Sequence, residues 1–388
     1  VSMIYLNQAA TSFHKPDCVR KAVLEALSGI GSAARGASAA ELSAARQIWA
    51  VRQSVAELFG FDAAERVVFT ANATQALNTA IFGLLNPGDT VIATDWDHNS
   101  VLRPLYRLRQ QGIRLEFWRA DAEGRLSLSW LRQRLGDSTL PTPRLVICTH
   151  ASNLTGAVLD ISQVSAFAHR AGALCLVDAA QSAGSIPIDM REIKADVLCF
   201  TGHKGLMGPQ GTGGLLVAPG VELRPLISGG TGICSYERAQ PENYPEHLEA
   251  GTLNGPGICG LGAAVRYLQT VGVESVHRRE QGILKSFRAQ LGKIEGIRIY
   301  GAEEGEHSAT IAFNLRDIPS AELADALSER YGITTRAGAH CAPRMHAALG
   351  TKEQGAVRIS FGCFNTEAEL MQAAEAVREL AEERGGET

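Results

Sequence analysis

No two cysteines in this 388-residue chain stand at CxxC spacing, which argues against a zinc ribbon or a thioredoxin-like motif. No stretch approaches the roughly 18 consecutive apolar residues of a membrane span. The opening residues, VSMIYLNQAATSF, lack a basic segment followed by a long apolar one. Dense Lys/Arg runs are also missing and the formal net charge is only −4, so nucleic acid and anionic membrane are poor candidates for the main partner. There is no internal repeat or low-complexity tract, which excludes a solenoid or an extended disordered chain. What remains, 45% hydrophobic and 20% charged residues over a length sufficient for two domains, is the composition of a globular protein. The expectation is a cytoplasmic protein with small-molecule or protein partners and no metal site.

The eight cysteines divide by context. Cys148, Cys175 and Cys199 sit inside apolar runs and read as small core residues, whereas Cys341 lies in RAGAHCAPRMH, among glycine, histidine, proline and arginine. Apolar runs at 67–70, 91–94, 145–149, 174–177 and 197–200 read as buried strands, several leading into helical patterns. Such an alternation predicts an α/β fold with a mostly parallel sheet. Ligands meet such a sheet at the carboxyl ends of its strands. Asp178 ends one run, and Thr201-Gly202-His203-Lys204 follows the next, so a carboxylate and a lysine should face one pocket. A buried lysine flanked by glycines suits carbonyl chemistry, because burial frees its amine.

Asp178-x-x-Gln181 followed by Thr201-Gly-His-Lys204 resembles the pyridoxal-phosphate (PLP) site of class V aminotransferase-fold enzymes, most closely the cysteine desulfurase and selenocysteine lyase family. The resemblance implies that Lys204 bonds the aldehyde of pyridoxal 5'-phosphate, that Asp178 pairs with the protonated pyridine nitrogen, and that Gln181 meets the phenolic oxygen, with Thr201 and His203 also at the cofactor. A charged pyridinium lets the ring act as an electron sink.

Other segments match in order. Tyr5-Leu-Asn-Gln-Ala-Ala-Thr11 is similar to the family's YLDNAAT, with Asn7-Gln8 in place of Asp-Asn, and Arg35-Gly36 to its RG. Ala71-Asn72-Ala73-Thr74 opens a helix where backbone amides and a hydroxyl make an anion site. By resemblance this is the phosphate site, with Ala73 and Thr74 as contacts; Asn72 and Ala73 replace the usual glycine and second threonine, leaving fewer hydroxyls. His98 falls where the family stacks a ring on the cofactor, a catalytic position that also supplies a nearby acid/base, although a histidine after a strand is also an ordinary helix cap. Ser152-Asn153-Leu-Thr-Gly156 resembles SNxxG, which puts Asn153 near the substrate carboxylate and the phenolic oxygen; the same letters also make a turn. Gly251-Thr252 resembles the segment that reaches a neighbouring subunit's phosphate site, implying a homodimer that shares Thr252. The glycines of 208–214 follow the lysine and precede a strand, so they read as a tight turn and not a dinucleotide loop.

From about residue 258 the pattern becomes a smaller α/β domain, which predicts a large domain of 14–257 and a small one of 1–13 plus 258–388. In the small domain, Arg358 lies in a strand and must find an anion there: by resemblance a substrate carboxylate, otherwise a domain-locking salt bridge. Arg336-x-x-x-His340-Cys341-Ala-Pro343 resembles the R.GHHCA.P loop of the second group of cysteine desulfurases, one residue shorter before the proline. The resemblance makes Cys341 the thiolate that attacks the substrate sulfur and keeps it as a persulfide, with His340 and Arg336 as neighbours that lower its pKa, in a loop of the kind that also cleaves selenocysteine, and adds a sulfur-acceptor protein as a partner. The reading is thus a PLP-dependent transferase (aspartate aminotransferase-like) fold with desulfurase chemistry. Another class V enzyme, a C–S lyase or an aminotransferase with a different substrate, is the alternative; a PLP-binding regulatory protein without turnover is a third.

Overall fold

A computed structural model of the chain describes residues 3–30 and 39–385; Arg35 and Gly36 lie outside them. The strands are β1 (Ile4–Tyr5), β2 (Val67–Thr70), β3 (Thr90–Thr94), β4 (Arg114–Trp118), β5 (Leu145–Thr149), β6 (Leu174–Asp178), β7 (Val197–Thr201), β8 (Gly213–Val217), β9 (Ile297–Tyr300), β10 (Thr310–Leu315), β11 (Ile333–Thr334) and β12 (Val357–Ser360). Seven of them form one sheet in the order β2-β8-β7-β6-β5-β3-β4. All its strands are parallel except β8, which is antiparallel to both neighbours. The central strands are apolar along their length because helices cover both faces.

Helices α1 (Asp17–Gly29), α2 (Ala39–Leu58), α3 (Ala73–Leu84), α4 (Asn99–Arg109), α5 (Leu128–Gly136), α6 (Ile161–Arg170), α7 (Met190–Ile193) and α8 (Gly255–Val271) surround this sheet. Strand periodicity divides the burial. Val68, Ile147, Leu176 and Cys199 pack with Leu77 and Ile81 of α3 and Leu105 of α4. Phe69, Cys148, Cys175 and Phe200 point the other way, toward α2, α6 and α8. Cys148, Cys175 and Cys199 are fully buried, as their apolar context predicts.

The parallel strands deliver their last residues, Thr70, Thr94, Thr149, Asp178 and Thr201, to one edge. Because β8 runs in reverse, it begins there, with Gly213 opposite Thr70 and Thr201. A Cβ on Gly213 would lie 2.8 Å from Asn72 Cα and from the Phe200 carbonyl oxygen, so glycine is what lets α3 start this close to the sheet edge.

The remaining helices, α9 (Val273–Leu291), α10 (Ser320–Tyr331), α11 (Pro343–Ala348) and α12 (Glu367–Gly385), accompany the antiparallel sheet β12-β10-β9 and the pair β1-β11. Leu6, Phe287, Phe313, Ile359 and Val377 belong to a core of their own, joined by the N-terminal strand through the bonds Ile4 N–H to Gly332 O (3.0 Å) and Leu6 N–H to Thr334 O (2.9 Å). We propose the division 14–257 against 1–13 plus 258–388 with one adjustment. Helix α8 packs on α1 and α2 and places Leu261, Val265 and Leu268 in the large core, so the natural boundary lies at its end, near Val271. No helix among the described residues is long and apolar enough to cross a membrane, nor do they contain a cluster of histidine, cysteine or carboxylate side chains able to hold a metal ion.

Candidate active site

The sheet edge opens into a cavity of roughly 520 Å³, solvent at its mouth included, lined by residues from α3, α4 and the ends of β5, β6 and β7. Asp178 ends β6, and its Oδ1 accepts from Ala180 N–H (2.9 Å). Burial pushes this carboxyl up, with the amide bond and Lys204 opposing. Lys204 lies three residues beyond β7. Burial pushes its amine down to about 8; Asp178 opposes the shift, and Arg358 and Arg336 reinforce it. A lysine in this state carries a usable free-amine fraction near neutrality. Below them Asp97 accepts from Thr149 Oγ1 (2.8 Å) and Thr94 N–H (2.6 Å). Burial, with Asp178 adding repulsion, pushes it up to about 7.

His98 caps α4: its Nδ1 accepts from Ser100 N–H (3.0 Å) and lies 2.8 Å from the Ser100 hydroxyl. Burial first, then Lys204, Arg336, Arg103 and Arg358, push it down to about 4. The ring is therefore neutral, with its hydrogen assigned to Nε2. Helix α3 starts beside it. Asn72 Oδ1 accepts from Gln75 N–H (2.9 Å) and Gln75 Oε1 from Ala71 N–H (2.8 Å), which leaves the first-turn amides of Ala73 and Thr74 for an anion. His203 Nδ1 is 3.0 Å from Thr11 Oγ1, and burial, with Lys204 and Lys15, pushes it down to about 4. Gln181 spends one N–H on Ala9 O (3.1 Å).

Two guanidiniums complete the charge pattern. Arg358, 1% exposed, donates from Nη1 to Asn153 O (2.8 Å) and from Nη2 to Asn7 Oδ1 (3.2 Å); its Nε is buried without a partner. Among the described residues no carboxylate pairs with it, so the domain-locking salt bridge is not what occupies it. Burial first and Arg336 second push it down to about 9. Arg336 faces it across two backbone hydrogen bonds, Arg336 N–H to Arg358 O (3.1 Å) and the reverse (2.7 Å).

Cys341 sits on the adjoining loop, half-buried, close enough to act electrostatically on both Lys204 and Arg358. His340 and Cys341 both have left-handed backbone, φ 51° and 56°, a conformation that costs non-glycine residues energy and persists only where surroundings enforce it. The enforcement is visible: Asn153 Nδ2 donates to His340 O (2.7 Å), and Asn99 N–H donates to Cys341 O (2.9 Å). Pro343 opens α11 directly after the loop, and Arg344 pairs with Asp95 (2.7 Å) while stacking over Phe117. His340 is not a cation beside the thiol. Burial first, then Arg358, push it down to about 3, and it stacks on His346.

The structure thus brings Ala73, Thr74, His98, Asn153, Asp178, Gln181, Thr201, His203 and Lys204 to one cavity; Arg358 and Cys341 do not line it and are tied to it through Asn153, which bonds Arg358 and the carbonyl of His340 next to Cys341. It does not bring Thr252, which lies exposed before α8 and lines a separate groove with Trp49 and Arg52. Sequence reasoning missed Ser100 and Asp97, both next to His98, and left Asn7 without a role.

The aminotransferase class-V family model matches residues 4–372. A probable cysteine desulfurase of Methanothermobacter thermautotrophicus is 36% identical over 386 residues, covering 97% of this chain and 94% of the relative. A cysteine desulfurase of Haloferax volcanii is 33% identical over 392 residues, covering 97% and 90%. The apo structure of cysteine desulfurase from Thermococcus onnurineus NA1 superposes with a TM-score of 0.90 at 32% identity, over 98% of this chain and 95% of that one. The chain belongs to the aminotransferase class-V family and has the fold of PLP-dependent transferases, a family of enzymes that depend on that cofactor.

The residues present fit the cofactor. Helix α3 offers amides and a hydroxyl to a phosphate, Asp178 a carboxylate to a pyridinium, Lys204 an amine to an aldehyde, and His98 a neutral flat ring. Thr201 Oγ1 and Asn153 Oδ1 are buried without hydrogen-bond partners. Both belong to residues that line the cavity, and a polar group stays so only at a cost that a ligand can remove.

Proposed function

We propose that this chain is a PLP-dependent cysteine desulfurase that also accepts selenocysteine, releasing alanine and leaving the sulfur on Cys341. The observation that carries it is the convergence of three groups: an amine made available at Lys204, a guanidinium without a counter-ion at Arg358, and the thiol of Cys341 on a clamped loop within electrostatic reach of both. The relatives named above support the choice of cysteine over another substrate.

Ala73, Thr74, Thr201 and His203 would hold the phosphate end, Asp178 the ring nitrogen, Gln181 and Asn153 the phenolic oxygen, and Lys204 the aldehyde. Pyridoxal phosphate, once bound, supplies an electron sink that loosens bonds at and next to the substrate's α-carbon. Arg358, steadied by Asn7 and Asn153, takes the substrate carboxylate, and Asn153 lies beside it. Lys204 Nζ gives and takes protons at the carbon skeleton, which its lowered pKa permits near neutral pH. His98, neutral and lining the cavity, would keep its Nε2 hydrogen and stack on the ring. Cys341 Sγ attacks the substrate sulfur as the carbon–sulfur bond breaks, and the carbon fragment takes up protons to become alanine.

A homodimer sharing Thr252 is part of the proposal, supported by that residue's exposure and by the family resemblance of its segment. So are a sulfur-acceptor protein that unloads Cys341 and a cytoplasmic setting, which suits the unpaired thiols of Cys148, Cys175 and Cys199 inside the core. Sedimentation at micromolar concentration reads the dimer.

The test combines a label and a variant. Borohydride reduction of the reconstituted protein followed by peptide mapping places a pyridoxyl group on Lys204; a label elsewhere removes the cofactor assignment. Cys341→Ala abolishes alanine formation from cysteine and the alkylatable persulfide while keeping much of the activity on selenocysteine, because selenium leaves more readily than sulfur. Equal turnover of cysteine by the variant and the parent protein makes Cys341 incidental and favours a lyase of another sulfur amino acid.

A further inference from the structure

The phosphate cradle at α3 is short of one hydroxyl. Ala73 stands where the family motif carries a second threonine, so Thr74 is the one hydroxyl that this turn contributes. The structure places a replacement beside it from a different element. Ser100, the second residue of α4, has its Oγ 2.8 Å from Thr74 Oγ1 and lines the same cavity as Thr74, Thr201 and Lys204. Resting on the PLP reading above, we propose that Ser100 is a phosphate-binding residue that supplies the cradle with a further hydroxyl beside those of Thr74 and Thr201.

Hydrogen counting supports this assignment. Ser100 Oγ lies 2.8 Å from both Thr74 Oγ1 and His98 Nδ1. The imidazole nitrogen is an acceptor only, since His98 is neutral and takes Ser100 N–H at 3.0 Å. Without a ligand the Ser100 hydroxyl donates to Nδ1 and accepts from Thr74, so the two hydroxyls satisfy each other and the ring. A phosphate monoester near neutral pH brings acceptor oxygens and negative charge, and draws hydroxyl donors toward itself. When Ser100 turns its hydrogen to that anion, Nδ1 is not orphaned, because the backbone N–H still holds it. The serine can therefore change partners without disturbing the histidine. The first turns of α3 and α4 both border the cavity here, and their positive ends favour the same negative charge. Thr201 Oγ1, on a residue 3% exposed, has no partner and lines the same space, an independent sign that a polar ligand completes this corner.

The position also links two ends of the cofactor site. Thr74 belongs to the phosphate end, His98 to the ring end, and Ser100 touches both, so one side chain registers the phosphate against the stacking ring.

The experiment titrates the apoprotein with pyridoxal phosphate and, separately, with pyridoxal, which has the ring and aldehyde but no phosphate; dissociation constants are read from protein fluorescence and the visible band of the bound cofactor. Losing one hydrogen bond to a charged group, Ser100→Ala weakens pyridoxal phosphate about 10- to 100-fold and changes pyridoxal less than about twofold. Ser100→Thr, which keeps the hydroxyl, retains the parent's selectivity. An unchanged pyridoxal phosphate constant in Ser100→Ala overturns the proposal. So does an equal loss for both ligands, which would mean that the serine acts through His98 alone. If the parent protein binds neither ligand at Lys204, the cofactor reading itself falls, and this proposal falls with it.

Discussion

Replacing Arg358 by lysine keeps the charge and removes the fork, and the structure indicates what each part is worth. Nη1 and Nη2 donate to neutral oxygens of Asn153 and Asn7, Nε has no partner, and no carboxylate among the described residues neutralises the group. A substrate carboxylate would bring two charge-assisted hydrogen bonds, each worth about 1.5–3 kcal/mol. A lysine ammonium keeps at most one contact and cannot copy the bidentate geometry. The expected loss is roughly 2–4 kcal/mol of transition-state stabilisation, about 30- to 1,000-fold in kcat/KM. Folding should suffer less. The two bonds to neutral acceptors contribute about 0.5–1.5 kcal/mol each, and lysine can keep one of them, so the change in stability should stay below about 2 kcal/mol. Measuring kcat/KM for cysteine and for its carboxamide analogue, with urea unfolding in parallel, separates the two roles. The parent protein should prefer the free acid strongly, and Arg358→Lys should lose most of that preference while still binding the cofactor. If the variant unfolds, or loses the same factor on both substrates, Arg358 is a structural link and the carboxylate assignment fails.

The sheet edge was readable in the sequence because burial on both faces forces nearly continuous apolar runs, and each run ends abruptly at a polar residue: Thr70, Thr94, Thr149, Asp178 or Thr201. Lys204 and Asp178 follow from that arithmetic alone. What the sequence hid is contact between segments far apart in the chain. Asn7 looks like a departure from a motif with no consequence, yet it supplies a neutral acceptor to Arg358 and so steadies the guanidinium without cancelling its charge. Ser100 is hidden because the turn that opens α3 carries one hydroxyl, Thr74, and its neighbour arrives 26 residues later on α4. His340 reads as a cation beside a thiol until its burial is known. Its ring is turned against His346, away from any charge-stabilising role. The reversed strand β8 and the boundary at the end of α8 were hidden for the same reason, since direction and docking are tertiary properties that a local apolar pattern does not encode.

Two further predictions concern buried charge and pH. Lys204→Met should stabilise the cofactor-free protein at pH 7 by on the order of 1–3 kcal/mol, because a cation whose pKa falls to about 8 in the fold, against an ordinary 10.5, is held at a cost. That cost is full below about pH 8 and fades as pH approaches 10.5, so thermal unfolding should show the gain at neutral pH and lose it under alkaline conditions; an unchanged or lower Tm at pH 7 counts against a strained lysine. The last concerns Glu280 on α9, 3% exposed, with Oε2 unpartnered and burial pushing its pKa up to about 8 against Arg279. Its ordinary value is 4.5, so between about pH 4.5 and 8 the folded protein binds a proton that the unfolded chain has released. Stability from this group must therefore fall as pH rises through that window. Glu280→Gln carries the neutral shape at every pH and should flatten the decline: little difference from the parent at pH 4.5, and a clearly higher unfolding midpoint at pH 8.5. Parallel stability curves for the two proteins across this range would show that Glu280 is already ionised in the fold at neutral pH, with water or a cation reaching a carboxylate that the packing of α9 otherwise closes off.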